Sequence, residues 1–552
     1  MGTVVFWILF LALIISSLII NLKNSQKRSI KRKEEIKNSF GKFERSNIER
    51  VDYTKVEGLY KHLLNEKNIP VIDSVTAHDL SLELLFNSLN NTLSSPGEEY
   101  LYYKLNSLNQ DFELAKDERK LIDYYCNHEE LRNNTLFCLD ELSKLKKIDS
   151  FNVIRDLKNK KSGNNFVHYL SDFLLLLSIL CIFVSPGLGF VATIIILVVN
   201  SATYFSGKRQ MEEDIYGFAY SLSVIRTAKK IHETDNSCKI EKYKDLFLLG
   251  KSNYLISFKR GTTSNPITII LNYLNLFLHF DLITYNRKLN MIKDKADDIL
   301  ELYTLIGRID CAISMASFVS SLQNCSYPEF VDFSEGFDIK EMIHPLNTNP
   351  VPNDIKVSRG IVLTGSNASG KSTFLKTCGV NVIMAQNFGF AMAKSYKAPI
   401  VRLYSSISLN DSIVEGNSFF VAEAKSLKRI CDATTEFDNV FCLIDEVLKG
   451  TNTLERISSG VSVLEYLAKR NCIVFAATHD AELSVMLNGL YDSYYFTEII
   501  ENGIMKFPYK INKGVAGEGN AIGLLKLLEF DNCITDNAEK LCVKYKEKGR
   551  WD

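Results

Sequence analysis

The residues best suited to chemistry lie in one short run. Gly365-Ser366-Asn367-Ala368-Ser369-Gly370-Lys371-Ser372 fits the pattern GxxxxGK[ST], and Thr373-Phe374-Leu375-Lys376 follows as the opening of a helix. Glycines let consecutive backbone N–H groups turn toward an anion, and the start of a helix adds partial positive charge. The spacing predicts a phosphate cradle from Gly365 to Thr373, with Lys371 reaching the β- and γ-phosphates of ATP and the Ser372 hydroxyl on Mg2+. Two carboxylates would complete such a site. Asp445-Glu446 end the apolar run Val440-Phe441-Cys442-Leu443-Ile444. A carboxylate at a strand end suits Asp445 to Mg2+, and Glu446 beside it suits the general base that orients water. The run Cys472–Ala477 leads into Thr478-His479-Asp480, which makes His479 a candidate for contact with the γ-phosphate. Catalysis by Lys371, Glu446 and His479 would rest on positioning and electrostatics.

These residues need a scaffold of strands that end together. Ile361-Val362-Leu363-Thr364 reads as a buried strand feeding the glycine-rich loop, and from Val357 onward short β-branched runs alternate with helical stretches. That is an α/β pattern, here a P-loop NTPase domain. Upstream, residues 23–165 and 206–340 are charged, Leu/Ile-rich and poor in proline, as in a mainly α-helical region. Lys288 to Leu322 carries apolar residues three and four apart and predicts one long amphipathic helix. Pro345, Pro350 and Pro352 mark the boundary between the two regions.

Of 552 residues, 65 are Lys or Arg and 65 are Asp or Glu, a net charge of zero. This excludes a protein that coats nucleic acid through a global positive field and leaves a local basic patch open. The 12 cysteines include no CxxC pair and no zinc-type spacing, which points to reduced thiols. Hydrophobic residues make up 46% of the chain, and they are concentrated. Thr3 to Leu22 runs about twenty residues without charge, enough to span a bilayer, and Lys23, Lys27, Arg28, Lys31, Arg32 and Lys33 follow it. A cleaved leader has its positive charge before the apolar stretch, so this order favours an uncleaved anchor. A second apolar block, about 169–204, is split by Ser185-Pro186-Gly187-Leu188-Gly189. It reads as two short spans joined by a turn, the alternative being a hairpin buried in a soluble core. Lys158, Lys160, Lys161, Lys208 and Arg209 flank it and predict a cytoplasmic base. About three spans, with the bulk of the chain cytoplasmic, is the expected arrangement.

The ordered motifs resemble the ATPase domain of the MutS family. Thr364 to Thr373 is similar to its TGPNxxGKST loop, with Ser366 and Ala368 where the family has Pro and Met. His344-Pro345-Leu346 and Val351-Pro352-Asn353-Asp354 resemble the elements before that loop, and Gly416-Asn417-Ser418-Phe419-Phe420-Val421-Ala422-Glu423 its GxSTFxxE segment. Asp445 to Asn452, Ala477 to Asp480 and Gly514 to Ile522 match later family segments. The resemblance implies ATP and Mg2+ as cofactors, a homodimer formed through the ATPase domains, and Ser418 reaching the partner's nucleotide. More weakly, Asp73 to Leu80, Asn91 to Gly97, Ile309 to Ala316 and Tyr327-Pro328 resemble the ends of the family's helical core. The implied organisation is an anchor (1–22), a basic linker (23–72), a helical core interrupted by the hairpin (73–340), an ATPase domain (341–540) and a tail (541–552). The family's mismatch-reading domain has no counterpart, and Phe333-Ser334-Glu335 fits its wedge pattern only by chance, at the wrong position. The expected function is thus a membrane-anchored, MutS-like ATPase contacting lipids, with DNA a possible partner. The alternatives are a transport-related ATPase of the ATP-binding-cassette kind, or a nucleotide-gated membrane scaffold.

Overall fold

The computed structural model describes the chain apart from residues 1, 44–51, 68, 146–147, 236–239, 251–265, 367, 408–418, 450, 502–503, 516–520 and 549–552. Its first part is helical. Helix α1 (Gly2–Ser39) carries the first apolar stretch and the basic run as one continuous element. There follow α2 (Gly58–Lys67), α3 (Ser74–Asp79), α4 (Leu82–Leu89), α5 (Ser95–Asn106), α6 (Phe112–Asn127), α7 (Glu129–Leu142) and α8 (Ser150–Asp156). Their starts are written in the sequence. Asp73 accepts from Thr76 N–H at 2.9 Å, and Asp149 accepts from Asn152 N–H at 2.9 Å. Ser94 accepts from Gly97 N–H at 3.2 Å, with a proline in the first turn of α5. Each such cap satisfies one of the amide groups that a helix start leaves unbonded.

The second apolar block forms α9 (Phe166–Val184) and α10 (Pro186–Thr234), which meet at Ser185. Helix α10 is 49 residues long and continues well past Tyr204. Nineteen residues give α9 a length of about 28 Å, close to a bilayer's hydrocarbon core. Only 11% and 17% of the two apolar windows is buried, and Phe183 and Val184 at the tip are 84% and 88% exposed. A hairpin packed inside a soluble core is therefore not what forms. Beside its base lies α12 (Pro266–Leu278), which follows the short α11 (Phe247–Gly250). Asn200 of α10 donates to the carbonyl of Phe277 at 2.9 Å and accepts from Ser171 of α9 at 2.5 Å.

The expected long helix over Lys288–Leu322 is two helices, α13 (Phe280–Asp294) and α14 (Ala296–Ser321). The break falls at Lys295, whose backbone leaves the helical region (φ −113°, ψ 13°). Although α14 is itself apolar and long enough to cross a membrane, 78% of its apolar window is buried at the centre of the helical core. It packs tightly on α5: a Cβ at Gly307 would lie 2.5 Å from the Pro96 carbonyl oxygen.

The C-terminal part is α/β. Strands β1 (Pro328–Val331), β2 (Phe337–Met342), β3 (Asn353–Val357) and β5 (Ser395–Pro399) form a four-stranded sheet in the order β1-β5-β2-β3. A one-turn 3-10 helix at Phe333–Glu335 precedes β2. The larger sheet combines β4 (Ile361–Thr364), β6 (Arg402–Ser406), β7 (Val440–Asp445), β8 (Cys472–Thr478), β9 (Asp492–Tyr495) and β12 (Asn512–Lys513) in the order β12-β9-β4-β8-β7-β6. All its pairings are parallel except β12 on β9. A small hairpin joins β10 (Ile499–Glu501) to β11 (Ile504–Lys506). Helices α15 (Lys371–Phe388), α16 (Phe419–Glu436), α17 (Thr453–Ala468) and α18 (Ala481–Met486) cover the sheet, and α19 (Ala521–Leu527) and α20 (Asn532–Lys548) close the chain.

Candidate active site

The sheet order places β8 between β4 and β7, with Thr364 opposite Thr478 and Asp445 opposite Ala477. The carboxyl ends of the three strands therefore lie side by side, where parallel sheets bind ligands. The loop after β4 carries residues 365–370, and α15 starts at Lys371 with Gly370 as its cap. Gly365, Ala368 and Gly370 all have positive φ (150°, 64° and 110°), which turns the backbone around the cradle. Glycine is required at two of these positions. A Cβ on Gly365 would lie 2.9 Å from the Phe496 carbonyl oxygen, and one on Gly370 would lie 3.1 Å from the Tyr509 ring.

Within the cradle, Lys371 Nζ donates to the carbonyls of Gly365 (2.7 Å) and Ser366 (2.9 Å) and lies 3.4 Å from His479 Nδ1. Burial lowers its ammonium, against the pull of Asp445 and Glu446. The Ser372 hydroxyl donates to the Asp445 carboxylate. Burial raises the Asp445 carboxyl, against that hydrogen bond. His479 Nε2 lies 2.6 Å from Glu446 Oε1, and Lys449 Nζ lies 3.0 Å from Glu446 Oε2. Burial alone would raise Glu446, yet the hydrogen bonds from His479 and Lys449 outweigh it and hold the carboxyl at about 2. Because an ionised carboxylate only accepts, Nε2 of His479 carries its proton. The backbone of Glu446 is pinned by its N–H to the Ala477 carbonyl (2.8 Å), and both Glu446 and Leu448 have positive φ (59° and 60°). Such conformations cost about 1 kcal/mol or more each and collect at functional sites.

The structure thus brings Lys371, Ser372, Asp445, Glu446 and His479 together, with Ser366, Ser369 and Thr373 on the same wall. Asn367 and Ser418 lie outside the described residues, as do Gly416, Asn417 and Gly450. Several participants carried no role in the sequence reading. Lys449 pairs with Glu446, and Arg456 of α17 grips Asp480 through two bonds of 2.8 and 2.7 Å, fixing the turn after His479. Asn353 ties β3 to the irregular run at 509–511 by bonds of 2.9 Å to each side. His344, which burial pushes down to about 4, accepts from Leu346 N–H as a neutral ring. A Glu446-to-Lys449 spacing of three was visible in the sequence, whereas the others meet only through the fold.

The cavity over the loop measures about 430 Å3 and reaches from Lys371 and Asp445 to Asn349, Val351 and Tyr509. Its donor set fits a nucleoside triphosphate with a hard cation. The loop offers inward-turned backbone and an ammonium, the Ser369 hydroxyl is buried with no partner among the described residues, and Ser372 and Asp445 present the oxygen ligands that Mg2+ prefers.

Residues 361–546 match the profile of MutS domain V, a P-loop ATPase domain. This part of the chain is a domain of the MutS family. It is 32% identical to a DNA mismatch repair protein MutS of Petrotoga mobilis over 274 residues, 47% of this chain and 32% of that protein. A MutS of Rickettsia felis is 31% identical over 47% of this chain and 30% of its own length. A MutS of Ehrlichia chaffeensis is 29% identical over 370 residues, 61% of this chain and 45% of that protein. The matched region spans between about a third and less than half of these relatives. The part shared with MutS is therefore the ATPase domain and, in the longest match, some of the chain next to it.

Proposed function

We propose that this chain is a membrane-anchored ATP hydrolase whose turnover rearranges its helical arms at a membrane surface. The observation that carries the reading is the convergence of Lys371, Ser372–Asp445 and Glu446–His479 at the ends of three adjacent parallel strands. On this reading Lys371 exchanges its carbonyl partners for the β- and γ-phosphates. Glu446, ionised at neutral pH, accepts a proton from the attacking water, and His479 and Lys449 hold its orientation. Ser372 and Asp445 would hold Mg2+, which would neutralise charge on the phosphates when bound. Two copies would sandwich the nucleotides, with Ser418 contributed across the interface. The exposed apolar hairpin, with Lys158, Lys160, Lys161, Lys208 and Arg209 at its base, supports insertion of α9 and the start of α10 with the ATPase side cytoplasmic. The relatives are named for DNA mismatch repair, but the neutral charge balance offers DNA no global field.

Turnover by the purified full chain, measured alone, with anionic phospholipid vesicles and with duplex DNA, tests the reading. We expect Lys371→Ala to abolish nucleotide binding, and the wild-type rate to respond to vesicles and ignore DNA. A rate that DNA stimulates and vesicles leave unchanged would move the working partner from membrane to DNA.

A further inference from the structure

Helix α16 is fastened at two levels, one to the catalytic loop and one to the helical core. Near its start, Glu423 is 2% exposed and accepts from the backbone N–H of Lys449 at 2.9 Å. The Lys449 ammonium in turn sits 3.0 Å from Glu446 Oε2. Six residues further along, about 9 Å up the helix axis, Arg429 makes a clasp with α3 and β6. Its guanidinium pairs with the Asp73 carboxylate, donates to the Ser405 carbonyl, and lies 3.4 Å from the Thr76 hydroxyl. The same short helix holds β6 directly. Thr76 Oγ1 accepts from Ser405 N–H (3.0 Å), and Asp79 accepts from the Ser405 hydroxyl (2.6 Å) and from Ile407 N–H (2.9 Å). Asp79 and Thr76 are fully buried, so these bonds are shielded from competing water. The clasp joins Thr76 and Arg429, residues 353 positions apart.

From these contacts we infer that α16 is a rod through which the helical core sets the position of Glu446, with Asp73 and Arg429 as positioning residues for hydrolysis. The inference rests on the hydrolytic reading of Glu446 given above. An α-helix is stiff along its axis, so a shift of α3 against the sheet that drags Arg429 also moves Glu423 and, through it, the backbone of Lys449. The other side of the linkage reaches the hairpin. Helix α10 runs from the apolar tip into the core as one element about 74 Å long, and it packs on α7, α8, α13 and α14. Helix α14 packs on α4 and α4 on α3, so motion at the membrane and motion at the carboxylate share one packed framework, and reciprocity requires nucleotide state to bias the hairpin in return.

The chain supplies a clean perturbation. Asp73 has three duties: it caps α3 through Thr76 N–H, accepts from the Thr76 hydroxyl (3.0 Å) and pairs with Arg429. Asparagine caps as well as aspartate but carries no charge, so Asp73→Asn removes the ion pair from the clasp and keeps the helix. In the purified full chain in nanodiscs, we expect the variant to bind a fluorescent ADP analogue within twofold of wild type. Its kcat should fall by about tenfold to a hundredfold, as expected when a catalytic group is misplaced by about an ångström. Hydrogen exchange of the peptide spanning 446–456 provides a readout that does not depend on turnover, and the variant should lose protection at Lys449. Unchanged protection together with an unchanged kcat would overturn the inference. If protection falls while wild type itself shows no turnover, the linkage stands and the hydrolytic reading is what fails.

Discussion

Replacing Glu99 with glutamine should flatten the pH dependence of the helical core's stability. Glu99 sits on α5 with 1% exposure, where it accepts from Tyr303 of α14 (2.7 Å), Ser150 of α8 (2.8 Å) and the backbone N–H of Leu59 in α2 (3.2 Å). Among the described residues no cation is paired with it. Burial, reinforced by the nearby Asp149 carboxylate, raises its carboxyl from 4.5 to about 8, against the hydrogen bonds from Tyr303 and Ser150. The folded chain therefore keeps this proton up to about pH 8, whereas the unfolded chain releases it near 4.5. For a raised carboxyl the folded state binds more protons across that window, so stability falls as pH rises through it. Each unit is worth up to about 1.4 kcal/mol. Between pH 6 and pH 8 the loss comes to about 2 kcal/mol, since the slope fades near the folded value. For a region of this size that is about 4–8 °C in melting temperature. Glutamine keeps the shape and a neutral group. Thermal unfolding of wild type and Glu99→Gln in the same detergent at pH 6, 7 and 8 isolates the contribution, because all other titrations cancel in the difference. Wild type should lose those degrees relative to the variant as pH rises. Parallel pH curves for the two proteins would refute the reasoning, as would a variant that is less stable than wild type by more at pH 8 than at pH 6.

Two further outcomes follow from the structure. Lys449→Met removes one of the two donors that hold the Glu446 carboxyl at about 2, so the acid limb of the kcat–pH profile should shift upward toward the ordinary 4.5; a limb that stays in place would show that Lys449 does not govern this carboxyl. Gly307→Ala drives a methyl group into the Pro96 carbonyl where α14 crosses α5, and thermal unfolding should register a loss of about 2 kcal/mol; a variant as stable as wild type would show that the two helices can separate freely.

How much of this was legible in the sequence depends on the range of the interaction. The loop from Gly365 to Thr373 and the strands around Asp445 and His479 are local patterns, and they fold where the spacing indicates. The breaker at Ser185-Pro186-Gly187 likewise ends α9 where expected. Periodicity misleads over Lys288–Leu322 because α13 and α14 turn their apolar faces to the same core, so the repeat continues through a break at Lys295 that no Gly or Pro announces. The length of α10 was hidden for a related reason. Beyond Tyr204 the charged run from Lys208 to Asp214 ends the continuous apolar signal without ending the helix, which then buries residues such as Phe218 and Ile225 in the core. Long-range pairs leave no local period at all. Arg429 with Asp73, Arg456 with Asp480 and the hold of Glu423 on Lys449 emerge only once the sheet and the helical core are assembled.

The central claim is that Glu446, set between His479 and Lys449 and beside Asp445, drives hydrolysis at the phosphate loop. Steady-state ATP turnover and nucleotide affinity of purified Glu446→Gln, compared with wild type, test it most directly. The account predicts a rate lower by at least about a hundredfold, the scale of a lost general base, with nucleotide affinity kept. A variant that hydrolyses ATP at the wild-type rate would contradict it.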